Sequence, residues 1–520
     1  MGQMNGQQDR CLALRQEHEM NRVMPALLAT LLVVSLSLAA CSRPSASTPQ
    51  EVTPVAPTET ATEPASSSPS IAGYWEGSMT VLGADLTIIV KLSDDGGAIT
   101  GTMDIPQQGA TDIPLHDISY ADSKVHLELL EGARLATYDG QVNPDGTISG
   151  EFSQSGVTGT FTLHQAEEPT PTVEVAEVLS YRAEDVTFNN GDITLAGTLT
   201  LPEGDGPFPA LILISGSGQQ NRDEELSIVP GYKPFREIAD TLTRQGIAVL
   251  RYDDRGIGGS GGDPITSTSV DFADDAEAAF TYLQGRSEID GKQIGMMGHS
   301  EGGIIEAIIG ARNPDVAFLI SMAGTAVSGY DTVIKQVERL TLASGLSAEA
   351  AAAAADQQRA VLDMVVAQDW TGLESMMNEL ISAQLNALSD DQKAAIGDID
   401  TYAKQQVAVQ LSQLQSPWYQ FFLAHDPGED WAKVTVPVLG LFGGNDAQVD
   451  ADTNAAALRA ALDKAGNQDV TITVIPTANH LFQDATTGSV EEYAQLEPHL
   501  MPEFLTAVSD WLAAHVQLPQ

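Results

Sequence analysis

The spacing of apolar residues changes character along the chain. From Ile71 to about Gln165, apolar and polar positions alternate in short runs: YWEGSMT, ADLTIIVKL, AITGTMD, VHLELLE, TISGEFS and VTGTFTL. Turn-forming clusters such as Asp94-Asp95-Gly96-Gly97 and Asn143-Pro144-Asp145-Gly146 separate them. A period of two broken by such turns predicts a small antiparallel β domain over 71–165. From about Ser180 the pattern becomes continuous apolar runs alternating with helical spacing. Strands are predicted at Ala210–Ile214, Ala248–Tyr252, Ile294–Met297, Val316–Met322, Val436–Phe442 and Val470–Ile475. Alternating strands and helices imply an α/β domain over 180–520, with a parallel sheet and helices on both faces. Between the fourth and fifth strands lies an insertion of helical character, about 326–432. Ser347 is placed to cap AEAAAAAADQQRAVLDMVV, and Ser389-Asp390-Asp391-Gln392 has capping-box spacing. An insertion at that point sits over the strand ends as a cap.

The N-terminus has a different logic. Arg22 precedes the apolar run Ala26–Leu38, which is too short to span a bilayer and ends in Leu38-Ala39-Ala40-Cys41. These residues resemble a bacterial lipoprotein signal peptide over 1–40. The resemblance implies cleavage before Cys41, lipid on its sulfur, and a lipid-anchored protein of the cell envelope. A start at Met20 or Met24 leaves that signal intact. Residues 41–70, beginning CSRPSASTPQ, are rich in Ser, Thr, Pro, Ala and Glu and read as a disordered tether. A second linker, EEPTPTVEVAE within 166–179, separates the β domain from the α/β domain.

Charge narrows the partners. With 25 Lys+Arg against 71 Asp+Glu, the formal charge is -46, which disfavours nucleic acid and anionic lipid surfaces as partners. The two cysteines are Cys11 and Cys41. The first is removed with the signal, so the mature chain is expected to have no disulfide and no thiol catalyst.

Candidate chemistry centres on a serine. Gly-x-Ser-x-Gly occurs twice, at Gly298-His299-Ser300-Glu301-Gly302 and at Gly258-Gly259-Ser260-Gly261-Gly262. Only Ser300 follows an apolar strand and precedes a helical run, the order that a nucleophile elbow requires. Ser260 lies in YDDRGIGGSGG, similar to the Asp-x-Arg-Gly-x-Gly-x-Ser loop of many α/β-hydrolases, where it shapes the fold. A serine nucleophile needs a base, and the base needs an orienting carboxylate. Of the four histidines after Ser300, His515 falls on the last helix, His499 beside Pro498 in a helical stretch, and His425 in the cap. His480 lies after the last strand, in TANHLFQ. Asp446 follows the strand VPVLGLFG, with Asp450 and Asp452 as nearby alternatives. An oxyanion requires two donors, and the Glu301 N–H and the Ser217 N–H of Ser215-Gly216-Ser217-Gly218 are placed to provide them. Ser416–Phe422 holds the densest aromatic cluster, and Trp418 and Phe422 are candidates for a substrate-pocket wall.

In order, SGSGQQNRDE, YDDRGIGGS, GHSEGG, FGGNDAQV and NHLFQ resemble the α/β-hydrolases, near the bacterial carboxylesterases and the hydrolases grouped with serine aminopeptidases. The β domain is similar to the lipocalin-like modules that precede some bacterial hydrolases, on Gly73-x-Trp75-x-Gly77 and its repeated glycines. The hydrolase resemblance covers roughly two-thirds of the chain and implies no metal and no organic cofactor. Ser215 departs from it, standing where many relatives have histidine. Three functions fit: hydrolysis of small carboxylic esters through Ser300, Asp446 and His480; peptidase or aminopeptidase action on the same machinery; or a non-enzymatic envelope binding protein.

Overall fold

The computed structural model describes residues 71–518, apart from 82–83, 95–98, 106–109, 130–135, 155–156, 167–179, 227, 230, 389–392, 394–395 and 397. The signal segment, Cys11, Cys41, the tether, the second linker and the capping-box tetrad at Ser389 all lie outside the described residues.

The first unit is a closed antiparallel barrel of eight strands. They run β1 (Gly73–Val81), β2 (Ala84–Asp94), β3 (Ile99–Ile105), β4 (Ala110–Ala121), β5 (Lys124–Leu129), β6 (Ala136–Val142), β7 (Ile148–Gln154) and β8 (Val157–Ala166). Strand β8 pairs back onto β1, so no sheet edge is left open. Alternate residues point inward, and Trp75, Met79, Val90, Leu127, Tyr138 and Phe161 form a core of side chains. Tyr138 packs at 5.1 Å on Phe152 and at 5.4 Å on Phe161. The Trp75 indole N–H donates to the Ile71 carbonyl at 2.9 Å, closing the barrel end near that tryptophan.

The second unit is built on an eight-stranded sheet of order β16-β15-β14-β13-β11-β12-β10-β9. Its strands are β9 (Tyr181–Asn190), β10 (Ile193–Pro202), β11 (Phe208–Ile214), β12 (Ala248–Tyr252), β13 (Ile289–His299), β14 (Leu319–Met322), β15 (Val438–Gly443) and β16 (Val470–Ile475). The six strands from β11 onward are mutually parallel, as the apolar runs predict. The sheet as a whole is mixed, because β9 and β10 form an antiparallel hairpin at one edge. Strand β14 is also shorter than predicted and begins at Leu319. Helices α1 (Pro234–Arg244), α2 (Ser269–Gln284) and α3 (Gly302–Arg312) precede the insertion. Alternation within the strands divides the core between the two faces. Leu211, Leu213, Val249, Met297, Ile320 and Leu441 cluster with Phe235 and Ile238 of α1 and with Phe504 and Leu512 of the last helix. The remaining inward positions serve the face covered by α2 and α3.

The insertion contributes α4 (Gly329–Ala343), α5 (Ala348–Val366), α6 (Trp370–Asn386), α7 (Ile399–Leu414), α8 (Pro417–Ala424) and α9 (Pro427–Trp431). Ser347 caps α5 by accepting from the Ala350 N–H, and Ser416 caps α8 by accepting from the Tyr419 N–H. Helices α10 (Ala451–Lys464), α11 (Val490–Tyr493) and α12 (Pro502–His515) complete the chain. Strand order reverses direction at β11, which lies between β12 and β13. A crevice beyond the carboxyl ends of the strands at such a reversal is where open α/β sheets hold their ligands.

Candidate active site

Strand β13 ends at His299, and the chain turns within two residues into α3. Ser300 makes that turn with φ 55°, a left-handed conformation that a serine adopts only when its surroundings impose it. Its N–H donates to the Met322 carbonyl at 3.0 Å, and its own carbonyl accepts from the Gly303 N–H at 3.0 Å. Gly298 makes the sharp turn sterically feasible: a Cβ there would lie 2.1 Å from the Gly302 carbonyl oxygen. The start of α3 leaves N–H groups without carbonyl partners of their own helix, directed to the same end of the sheet.

His480 follows β16 and pairs with Asp446, which follows β15. The His480 Nδ1 lies 2.8 Å from the Asp446 Oδ2, and Asp446 is fully buried. The other oxygen, Oδ1, accepts from the Gln448 and Val449 N–H groups, both at 2.8 Å. A carboxylate held in this way only accepts, so Nδ1 of the neutral imidazole carries the proton and Nε2 has the lone pair. Asp450 is occupied elsewhere. It caps α10 by accepting from the Thr453 N–H at 3.0 Å and hydroxyl at 2.6 Å, and Arg339 faces it at 3.5 Å. Asp452 lies in the first turn of α10. The other histidines are also committed elsewhere: His425 faces Asp430, His515 contacts Trp511 and Asp469, and His499 lies in an irregular segment rather than in a helix.

His299 joins the elbow to the histidine loop. Its Nε2 donates to the His480 carbonyl at 3.1 Å, while its Nδ1 lies 2.8 Å from Glu224 Oε1, and the two imidazole rings are 4.8 Å apart. Both nitrogens face oxygens that accept, which favours the charged form of this ring. Burial opposes its charge, but the Glu224 carboxylate, the His480 carbonyl and Asp446 together outweigh it and raise its pKa. Glu224 Oε1 also accepts from the Gly216 N–H at 3.0 Å. One carboxylate therefore ties the 215–218 loop, the elbow and, through His299, the His480 loop. Glu224 at φ 53° and Phe482 at φ 56° share the left-handed strain of Ser300, so non-glycine strain gathers at this site. Glu224 and His299 lie within SGSGQQNRDE and GHSEGG, but their pairing spans 75 residues and no local pattern signals it.

The 215–218 loop approaches the elbow closely, since a Cβ on Gly216 would lie 3.1 Å from the Ser300 Cβ. The Gly216 N–H is engaged by Glu224, whereas the Ser217 side chain bonds to the Glu301 carboxyl. Ser215 shares a hydrogen bond with Asp254, whose other oxygen accepts from the Gln220 N–H at 2.9 Å. Burial raises the Asp254 pKa to about 8 against those two bonds. Two further candidates, Trp418 and Phe422, stack in parallel at 5.4 Å on α8. They differ in surroundings: Phe422 is buried and packs against Gly329 of α4, while the Trp418 indole N–H donates to Glu301 at 2.8 Å. Among the described residues, the one group with metal-ligand geometry is Asp117, His126 and Glu128 on the barrel. The His126 ring nitrogens there already face Asp139 and Glu128.

Residues 231–484 match the family described as Serine aminopeptidase, S33. The match lies within the α/β domain and agrees with the sheet order and the strand-end residues already described. The second unit is an α/β-hydrolase domain. The protein is therefore a hydrolase with an antiparallel β barrel ahead of its α/β-hydrolase domain. Over 372 residues it is 23% identical to the esterase EstD of Thermotoga maritima, covering 71% of this chain and 74% of that protein. Two solved structures also align with it. The esterase Pf2001 of Pyrococcus furiosus does so at TM-score 0.39 and 14% identity, over 65% of this chain and 93% of that chain. Est1E of Butyrivibrio proteoclasticus, solved with ferulic acid, does so at TM-score 0.36 and 17% identity, over 64% and 98%.

Proposed function

We propose that this hydrolase cleaves small carboxylic esters, with Ser300 as nucleophile, His480 as general base and Asp446 as the orienting acid. The observation that carries the reading is the strained Ser300 turn, whose neighbour His299 bonds to the carbonyl of a histidine with Nδ1 fixed on a buried carboxylate. With the Nδ1 proton directed at Asp446, Nε2 is the site that accepts the Ser300 proton as Oγ attacks the ester carbonyl. The tetrahedral oxyanion is received by the Glu301 and Ser217 N–H groups. The alkoxide leaves with the proton from His480, giving an alcohol and an acyl-serine. Water then gives up a proton to the same nitrogen and attacks the acyl carbon, and the Ser300 oxygen leaves with that proton as the acid is released.

The EstD relative favours esters, while the description of the matched family favours a peptide amide. A fluorophosphonate probe followed by matched ester and aminoacyl-amide panels separates them. Labelling at Ser300 with turnover of short-chain esters only is the expected result. Labelling with faster cleavage of N-terminal aminoacyl amides would replace the ester reading, and no labelling of folded protein would remove the nucleophile assignment.

We further infer export and lipid anchoring at Cys41, from the motif Leu38-Ala39-Ala40-Cys41 and the polar stretch after it. No helix among the described residues is long and apolar enough to cross a membrane. Mass spectrometry of the protein from its native host is expected to find a mature N-terminus at Cys41 with lipid on its sulfur. An unmodified Cys41 would overturn the inference.

A further inference from the structure

The residue after Ser300 offers a side chain as well as a backbone N–H. Glu301 is 2% exposed, and its Oε1 accepts from Ser269 Oγ at 2.6 Å and from Trp418 Nε1 at 2.8 Å. The Ser217 hydroxyl bonds to the same carboxyl. These three neutral donors come from three separate elements. Ser269 opens α2, Ser217 lies in the loop after β11, and Trp418 belongs to α8 of the insertion. A carboxyl so buried is costly to keep unless its oxygens are satisfied, so the three donors and the acid hold one another in place.

We propose that Glu301 is a positioning residue that couples the seat of cap helix α8 to the geometry of the oxyanion-binding loop. The proposal rests on the reading of Ser300 as nucleophile and of the Ser217 and Glu301 N–H groups as oxyanion donors. Fixing Ser217 by its hydroxyl fixes the peptide plane whose N–H must meet the developing charge, and errors of a fraction of an ångström there are expensive. Fixing the Trp418 N–H on the same carboxyl makes the position of α8 part of that arrangement. The parallel stack of Trp418 on the buried Phe422, at 5.4 Å and 6°, sets the plane of the indole. A substrate that pushes α8 away would take a donor from Glu301 and loosen Ser217. Acyl groups that fit beneath a seated α8 are therefore processed with the better-formed oxyanion site, and the specificity appears in kcat.

A double-mutant cycle tests the coupling, using a short-chain ester and active-site titration by fluorophosphonate so that only competent protein is counted. Trp418→Phe keeps the ring and removes the donor; Ser217→Ala removes the hydroxyl and keeps the N–H. Each is expected to lower kcat by about tenfold, with KM changed by less than about threefold, and the double variant to lose much less than the product of the two. Glu301→Ala should match the double variant, and Glu301→Gln, which keeps an acceptor, should restore most of kcat. Should Glu301→Ala not fold, as read by thermal melting, the Trp418→Phe and Ser217→Ala cycle still gives the coupling. Multiplicative losses in that cycle, or losses confined to KM, would overturn the proposal. Ser300→Ala run in parallel keeps the two readings apart: its retained turnover would remove the nucleophile, whereas its loss beside a multiplicative cycle removes only the role of Glu301.

Discussion

Two loops of the hydrolase domain carry Gly-x-Ser-x-Gly, and their serines are in opposite chemical situations. The Ser260 hydroxyl donates to the Asp253 carbonyl at 2.7 Å and accepts from the Ala196 N–H at 2.9 Å. Both of its ordinary bonding roles are taken by backbone, so it fastens the 253–262 loop to β10. The surrounding groups serve the same end: Asp253 receives Arg222 and the Gly259 N–H, and Arg255 forms a two-point pair with Asp275 at 2.9 Å. Ser300 instead occupies a strained backbone turn at a helix N-terminus, and its neighbour His299 bonds to the backbone of the histidine paired with Asp446. The pattern itself encodes only a tight, glycine-flanked turn. What the hydroxyl can do depends on how the fold around the turn engages it.

The largest effect expected to test that contrast is Ser300→Ala. Turnover of short-chain esters should fall by roughly a thousandfold or more, and fluorophosphonate labelling should vanish, without loss of thermal stability. Labelling that persists in the alanine variant would move the nucleophile elsewhere and erase the contrast.

Asp446→Asn should come next, with a loss on the order of a thousandfold, because an amide at Nδ1 favours the wrong histidine tautomer and cannot stabilise the imidazolium. Asp450→Asn should leave kcat within a few-fold and lower the melting temperature modestly, as expected of a weakened helix cap. Steady-state kinetics and melting of both variants decide the ranking, and the reverse order would assign the acid to Asp450.

Ser260→Ala should show the opposite signature, a stability loss without a catalytic one. Leaving the Ala196 N–H and Asp253 carbonyl without their partner should cost roughly 1–3 kcal/mol. Denaturant unfolding measures that cost, and kcat of the folded fraction should remain within about threefold. A folded Ser260→Ala protein that no longer labels at Ser300 would show that the two loops are not functionally distinct.

The same contrast explains what is legible in the sequence. Ser300, Asp446 and His480 each stand just beyond an apolar strand, so strand ends and residue type suffice to bring them forward in order. The edge hairpin β9–β10 is obscured because β9, YRAEDVTFNN, buries only Val186 and Phe188 and lacks an apolar run. The parallel strands β11, β12, β14 and β15, by contrast, are buried on both faces and read as continuous apolar text. Glu224 with His299, Asp254 with Ser215, and the Glu301 carboxyl with Trp418 take their roles from burial and from partners 75, 39 and 117 residues away. Nothing local marks a carboxyl for that duty, and in a chain with 71 Asp+Glu the few buried acids are hidden among surface ones. The aromatic cluster is legible as a group but not in its parts, since only contacts separate Phe422, packed on α4, from Trp418, which reaches Glu301.

The smallest expected effect concerns Asp254, which lies in the Ser260 loop yet holds Ser215 and Gln220 beside the Ser300 elbow and so links the two loops. Burial raises its pKa from 3.8 to about 8. Between those values the folded protein keeps the proton and the unfolded chain releases it. The contribution of this acid to stability is therefore complete below the unfolded pKa and is lost as pH rises through the range toward 8. In the protonated form Oδ2 accepts from the Gln220 N–H and Oδ1 accepts from the Ser215 hydroxyl. Asp254→Asn has the same shape, keeps an acceptor for the Gln220 N–H and a polar group against the Ser215 hydroxyl, and cannot titrate. Relative to wild type, the variant should gain about 1 kcal/mol on going from pH 6 to pH 7, read by denaturant unfolding at each pH. Turnover should change little, because the loop keeps its shape. A difference that stays constant or shrinks with rising pH would mean that Asp254 is ionised in the fold, and that charge rather than a shared proton joins the Ser260 loop to the elbow.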